Sequence, residues 1–441
     1  MADKIDKKFF QEFRAKLVNQ SALEPTDALY VSNLHGDPDA GEDVIARLFD
    51  DIEITEGSGL YYFTGQRGTG KSTELKRLRQ SLAANAGYQP ILFDSLEFIS
   101  ESQPINLEEI WLLLVVGLAQ WIEQEYKKDF LDSDLSQRFM NWLKSEVKIE
   151  EVSYHGVKVK IKEQQEQVAE KVKAWRAKGE WITQITKTGA EMVQFVKDRA
   201  RKTKVVVIVD SLERLRGASL PDQDEMFHRV VGIFGGDIHK LRLPGAHVVY
   251  SVPPYLPLLT SVRDLVRCYA LASVRVFEKP NGTQRQPRDS ALARMESLIN
   301  KRYQAWNTIL SPAAVRELAM MSGGDLRHFM YRLVNDAVSQ AMYAQDRLPL
   351  QAGDPIINTV IDNHRVQTEQ LTRTDEWPML KNITQTHRAN VASKELAVLA
   401  RLFEVRAVLN YKNGEEWFDV HPLLWRLIDA YTPPAAATAT A

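Results

Sequence analysis

Gly65-Gln66-Arg67-Gly68-Thr69-Gly70-Lys71-Ser72 is the stretch that decides the fold. Its spacing, G-x-x-x-x-G-K-S, is that of a phosphate-binding loop. The glycines let the backbone curl so that several N–H groups face one concavity, a nest for an anion. Lys71 would reach the β- and γ-phosphates of a nucleotide, and the Ser72 hydroxyl would ligate Mg²⁺. Thr73 to Leu82 follows with Leu75, Leu78 and Leu82 on one helical face. The N-terminus of such a helix adds a favourable dipole at the phosphates. Leu60-Tyr61-Tyr62-Phe63-Thr64 precedes the loop as a short apolar run, the pattern of a buried strand. At average residue usage the motif arises by chance in roughly one or two of a hundred chains of this length. A strand before it and a helix after it lower that figure further.

Composition sets the frame. A chain of 441 residues has room for about two to four domains and a real core. With 44% hydrophobic and 26% charged residues it has an ordinary globular balance. The formal net charge is −2, from 56 basic and 58 acidic residues, so no overall positive field favours nucleic acid. Cys268 is the only cysteine, which excludes an intramolecular disulfide and a cysteine-based zinc site and fits a cytoplasmic setting. The nine histidines show no pair at metal-ligand spacing. The N-terminus is polar and lacks the apolar core of a signal peptide. The longest apolar stretch, Ile110 to Ile122, is interrupted by Gln120 and too short to span a bilayer.

Upstream of the loop, Phe9, Phe10, Phe13 and Leu17 fall at helical spacing, giving an amphipathic helix over residues 1–25 that packs on the body or serves as a partner-binding arm. Leu29-Tyr30-Val31 reads as a short extended segment, and Tyr30 is a candidate contact for the base of the nucleotide. Asp37 to Ala40 forms a turn and a helix starts at Gly41. Downstream, Gln89 to Leu96 reads as a second strand, and Asn106 or Leu107 opens a helix apolar nearly all round, as a buried one is. Residues 124–200 change character and read as an insertion rich in Lys, Glu and Gln. Within it, Val152 to Ile161 alternates around Gly156, as a small hairpin does, and a long polar helix runs from Gln164. Its basic residues are interleaved with Glu163, Glu166, Glu170 and Glu180, so a solvated face is a better reading than a nucleic-acid surface.

Val205-Val206-Val207-Ile208-Val209-Asp210 is the second landmark. Five β-branched residues in a row predict a central parallel strand buried on both faces. Ligands sit at the carboxyl ends of such strands. Asp210 stands there, placed to hold Mg²⁺ opposite Ser72. Glu213 is a candidate to orient or deprotonate an attacking water, the alternative being a surface glutamate. Ser211, not an acid, follows Asp210.

Together, Gly65 to Ser72 as Walker A and Val205 to Asp210 as Walker B resemble the AAA+ and STAND branch of P-loop ATPases. Most AAA+ enzymes have adjacent Asp-Glu at Walker B; Asp210-Ser211-Leu212-Glu213 looks more like the spaced acids of NACHT-type STAND proteins, which implies slow, nucleotide-gated turnover. Ala246 to Val252 reads as another buried strand, and the resemblance makes Ser251 the sensor 1 residue. Leu271 to Val276 reads as the last core strand. Arg263 or Arg267, between these two strands, matches the arginine that reaches a neighbouring subunit's γ-phosphate. Ser290 to about residue 306 is helical, and Ser311 caps a helix opened by Pro312. Ser322-Gly323-Gly324-Asp325-Leu326-Arg327 resembles the sensor 2 region, with Arg327 touching the γ-phosphate or, alternatively, pairing with Asp325. Lys394 to Phe403, Val405 to Tyr411, Trp417 to Val420 and the helix from His421 look like a winged helix, its hairpin turned by Asn413-Gly414 with a type I′ signal. Its acids, among them Glu395, Glu404, Glu415, Glu416 and Asp419, favour protein over DNA. The tail from Thr432 is low in complexity.

The expected fold class is therefore α/β: a parallel-sheet P-loop core with a helical lid and a C-terminal winged helix. The expected layout is a core over 26–280, a lid over 281–345, a polar linker over 346–385, a winged helix over 386–431 and a tail over 432–441. The resemblance implies an ATP- and Mg²⁺-binding switch whose slow hydrolysis gates self-assembly or a separate effector protein, in the setting of bacterial antiviral defence. Alternatives are a DNA-loading or transposition-regulating ATPase and a nucleotide-binding scaffold without turnover.

Overall fold

The computed structural model describes residues 5–18, 21–36, 42–145, 170, 181–215, 220–280 and 284–432. The turn at Asp37 to Ala40, the hairpin over 152–161, most of the polar helix from Gln164 and the tail after Thr432 lie outside them. The chain divides into two compact units, one of Val44–Thr64 and Lys71–Ala270, the other of Met1–Asp43, Gly65–Gly70 and Leu271–Ala441.

The first unit is built on a five-stranded sheet in the order β2-β3-β4-β1-β5. Its strands are β1 (Leu60–Thr64), β2 (Tyr88–Asp94), β3 (Lys204–Asp210), β4 (Ala246–Val252) and β5 (Arg267–Ala270). All neighbours are parallel. Val205 to Val209 are all fully buried, as the β-branched run requires of a strand covered on both faces. In the helix Lys71–Ala84, Leu75, Leu78 and Leu82 are fully buried. The apolar helix Leu107–Leu131 starts where expected, with the Asn106 N–H donating to Glu109 Oε2 at 2.8 Å. It breaks at Tyr126 (φ −122°, ψ 24°) and runs on to a fully buried Phe130. It packs on the helix Trp181–Ala200, which buries Ile185, Met192, Val193 and Val196. Both described ends of the insertion are thus part of this unit's helical layer.

The last strand is not Leu271 to Val276 but Arg267–Ala270, paired with β1 from Tyr61↔Arg267 to Thr64↔Ala270. Residues 271–276 are all buried and alternate apolar residues with Ser273 and Arg275, which made them look like a strand. They form no ladder with the sheet: Ser273 N–H donates to Asn410 O (3.0 Å), in the C-terminal hairpin, and Val274 N–H to Gly324 O (3.1 Å), in a turn. They belong to the second unit.

That second unit is mostly helical, with a large helical core and a smaller cluster of Leu409, Tyr411 and Trp417. The N-terminal helix Lys7–Val18 contributes Phe10, Phe13 and Leu17. Phe13 stacks on Tyr303 at 4.9 Å, so this face packs on the body. Helices Asp289–Arg302, Pro312–Met321, Asn335–Ala341 and Pro355–Gln370 supply most of the remaining core. Ser311 caps its helix as expected, its Oγ accepting from Ala314 N at 3.2 Å. Leu29 lies in a turn closed by the Tyr30 N–H on Asp27 O at 2.9 Å, and Tyr30 and Val31 are in no strand. Residues 346–385, expected as a polar linker, carry the helix Pro355–Gln370, capped by Asp354, and most of the helix Trp377–Thr386, which bury Ile357, Val360, Ile361, Leu380 and Ile383 at helical spacing.

The C-terminal elements come in the expected order: helix Leu396–Glu404, β6 (Val408–Asn413), β7 (Glu415–Val420), helix Trp425–Ala430. The hairpin turn differs. Asn413 pairs with Glu415, and of the two turn residues only Gly414 (φ +82°) enters the left-handed region. A type I′ turn needs that conformation twice, so the link here is one residue tighter.

Candidate functional site

Within the sheet unit, five of the singled-out side chains meet. Lys71 opens the helix after the loop, and its Nζ lies 3.2 Å from Glu213 Oε1. The two side chains are 3% and 7% exposed, so Glu213 is not a surface residue. The other carboxylate oxygen of Glu213 accepts from Ser251 Oγ. Ser251 is fully buried at the end of β4, where it pairs in register with Phe63 of β1. Glu213 reaches this position from a 3-10 turn, Leu212–Arg214. The residue that starts the turn, Ser211, has φ +71°, in the left-handed region. Such a conformation costs a non-glycine residue on the order of 1–3 kcal/mol and concentrates at functional sites.

Ser72 and Asp210 form the second pair. The Ser72 hydroxyl and the Ser211 N–H, the latter at 2.7 Å, donate to the Asp210 carboxylate. Burial pushes the Asp210 carboxyl up to about 6, helped by the charges of Glu213 and Asp94 and opposed by the two hydrogen bonds. Asp94 ends β2 directly beside Asp210 in the sheet register and was not singled out from the sequence. A hydroxyl and a carboxylate side by side are hard oxygen donors of the kind Mg²⁺ takes, together with phosphate oxygens and water. A cation there would restore the charged form that burial disfavours. Among the described residues, no group of three or more His, Cys, Asp or Glu is placed to hold a metal by itself.

The two candidate trans arginines differ. Arg263 is exposed on the short helix Thr260–Leu265. Arg267 opens β5, and its guanidinium is bound by Asp51, which also accepts from the Tyr269 hydroxyl.

Within the second unit lie the loop residues Gly65–Gly70 and Arg327. Gly68 has φ +91°, and a Cβ there would stand 2.7 Å from Arg327 Cβ. Arg327 is therefore packed on the middle glycine of the loop. It starts a helical turn whose neighbour, Asp325, is engaged by Arg406 (3.0 Å) and by the His328 N–H (2.9 Å). Gly324 (φ +78°) sets this turn: a Cβ would fall 1.8 Å from Val274 O. Inside the loop, the Gln66 carbonyl accepts from Thr69 Oγ1 (2.9 Å) and Thr69 N (3.3 Å). Gln66 is buried and Arg67 half-buried. Thr73 follows in the first turn of the sheet unit's helix.

Tyr30 is held by its carbonyl, which accepts from Lys301 Nζ at 2.5 Å. The residue of that segment that faces the loop is His35. Its Nδ1 donates to Ala272 O at 2.9 Å, and its Nε2 lies 3.7 Å from the Cβ position of Gly70. No spacing in the sequence marks it. The sequence likewise hides three histidines that gather in this unit. His421 Nδ1 accepts from Leu423 N, leaving Nε2–H to donate to His328 Nδ1 at 2.9 Å. The His364 ring lies 5.5 Å from His328. Burial pushes His421 down to about 3 and His328 well below its ordinary value. This is a neutral hydrogen-bonded pair.

No family model and no curated protein matches the chain. Solved structures do. A chain of Drosophila ORC bound to DNA is similar at 14% identity over 97% of this chain and 94% of that one, with a TM-score of 0.39. Aeropyrum pernix ORC2 is similar at 12% identity over 94% and 95%, TM-score 0.35. Pyrobaculum aerophilum Cdc6p is similar at 12% identity over 92% and 97%, TM-score 0.34. The loop, the parallel sheet and the helical unit give the chain an α/β P-loop fold with a helical lid. No described helix is long and apolar enough to cross a membrane.

Proposed function

We propose that this chain is an ATP-binding, slowly hydrolysing switch of the AAA+/STAND type. One observation carries the reading: Lys71, Glu213 and Ser251 meet at the end of the sheet beside the Ser72–Asp210 pair. The loop amides and Lys71 would bind the β- and γ-phosphates. Ser72 and Asp210 would hold Mg²⁺, whose chemistry is to neutralise charge on the phosphates. Glu213, fixed by Ser251, would orient and deprotonate the attacking water. Arg327, whose Cβ is packed against Gly68, would offer its guanidinium to a nucleotide on the loop.

Slow turnover is supported by the same geometry. The carboxylate that should work as the base is tied to the lysine that should hold the phosphate. The two duties compete until the phosphate takes over Lys71. The packing of Arg327 on Gly68 supports a gate on self-assembly or on an effector protein. The antiviral setting has the motif resemblance as its support.

The test is direct nucleotide binding and phosphate release. Lys71→Ala should abolish ATP binding. Glu213→Gln should bind ATP at least as tightly as wild type and lose turnover by about 10²–10⁴-fold, the usual worth of a general base. Normal ATP affinity in Lys71→Ala would sink the assignment.

A further inference from the structure

Gln66 occupies a position at which the loop motif accepts any residue. It is nonetheless only 2% exposed, and its side chain leaves the loop altogether. Nε2 donates to the carbonyl of Val408, the first residue of β6, and Oε1 accepts from Ser273 Oγ at 3.5 Å. The Ser273 N–H in turn donates to Asn410 O at 3.0 Å. Val408 and Asn410 are two residues apart, so their carbonyls leave the strand on the same side. Gln66 and Ser273 therefore satisfy neighbouring carbonyls of β6, as a third strand would. The hairpin is tied down again one residue on, where the Tyr411 hydroxyl donates to Gly323 O at 2.7 Å. Gly323 belongs to the turn that presents Arg327.

We propose that Gln66 is a positioning residue that transmits the state of the phosphate loop to the C-terminal hairpin. The proposal rests on the nucleotide-site reading and adds its route. When a phosphate orders the loop amides, the Gln66 backbone is fixed with them, because its carbonyl is the acceptor for Thr69. The amide end of the same side chain then fixes the outer edge of β6. The coupling runs both ways: a partner that grips the hairpin, whose tip at Gly414 to Glu416 is exposed, must shift nucleotide affinity by the factor by which nucleotide shifts its own.

The experiment is hydrogen–deuterium exchange of the full chain with and without ATP·Mg²⁺, beside a direct binding measurement with a fluorescent ATP analogue. Gln66→Met keeps length and apolar bulk but can neither donate nor accept these bonds. Gln66→Glu keeps the acceptor and loses the donor. In wild type, nucleotide should slow exchange over residues 405–413. With the analogue at a concentration that saturates each variant, both variants should lose that protection, while protection of the loop and of the helix Lys71–Ala84 persists. A wild-type response at the hairpin in Gln66→Met overturns the proposal, and so does a wild-type protein that binds nucleotide with no change there. Should Gln66→Met fail to fold, Ser273→Ala carries the same test, and an unchanged hairpin response in it counts against the coupling. Failure of wild type to bind the analogue sinks the nucleotide-site reading and this inference together.

Discussion

At the residue scale, the groups proposed to carry chemistry converge on one carboxylate: Glu213 faces Lys71 with one oxygen and Ser251 with the other. Lys71, Ser72 and Asp210 stand where motif and strand end put them. Glu213 and Ser251 could be nominated, but their meeting is a tertiary fact: they lie 38 residues apart, on a turn and on a strand. The contacts of His35 and Gln66 were not legible, since one sits in a turn without periodicity and the other in a free position of the motif. Asp210 supports a prediction on pH. Its folded-state value of about 6 lies above the ordinary 3.8. Stability from the neutral acid is therefore fully present below about pH 4 and is lost as pH rises through about 6. Mg²⁺ needs the carboxylate, so Mg²⁺-dependent nucleotide affinity should rise between about pH 5 and 7. Titrations at several pH values check this, and Asp210→Asn should flatten both trends. A rise in affinity that survives in Asp210→Asn would assign the effect to another group.

At the scale of elements, period decided what was readable. The amphipathic stripe of Phe10, Phe13 and Leu17 gave its helix and its buried face at once. The run Leu271 to Val276 misled because apolar alternation reports burial, not pairing. A chain whose N–H groups are met by Gly324 and Asn410 looks the same in sequence as one in a ladder. The helices over 355–386 were missed for the opposite reason: their apolar positions are sparse and separated by Asn, Thr, Gln and His. The N-terminal helix offers a clean test of packing against a free arm. Phe13 is fully buried against Tyr303, so Phe13→Ala should cost about 3–5 kcal/mol. A denaturant midpoint unchanged from wild type would mean that the helix is a detachable arm after all.

At the scale of the whole molecule, the chain passes from the sheet unit at Thr64 to the helical unit and back at Lys71. Six loop residues are thus packed with elements more than two hundred positions downstream, which no local pattern announces. On the proposed reading, a nucleotide on such a loop would be sensed by the residues packed with it, and this is the basis for expecting assembly to depend on it. Light scattering after size exclusion should show a larger species with ATP·Mg²⁺ for wild type and none for Lys71→Ala. Equal mass under every condition would leave an ATPase whose nucleotide does not gate self-association. Ser211 adds a consequence of another kind. Its backbone is held where glycine is at ease, and glycine there would relieve the strain yet loosen the unfolded chain, so the two effects nearly cancel in stability. What would change is fidelity. With Ser211→Gly the turn could sample other shapes, and Glu213 would spend less time on Lys71 and Ser251. Such a variant should melt near the wild-type temperature and turn over ATP erratically or not at all. Selection acting on stability alone would not hold a serine at this site; selection on the geometry of one carboxylate would.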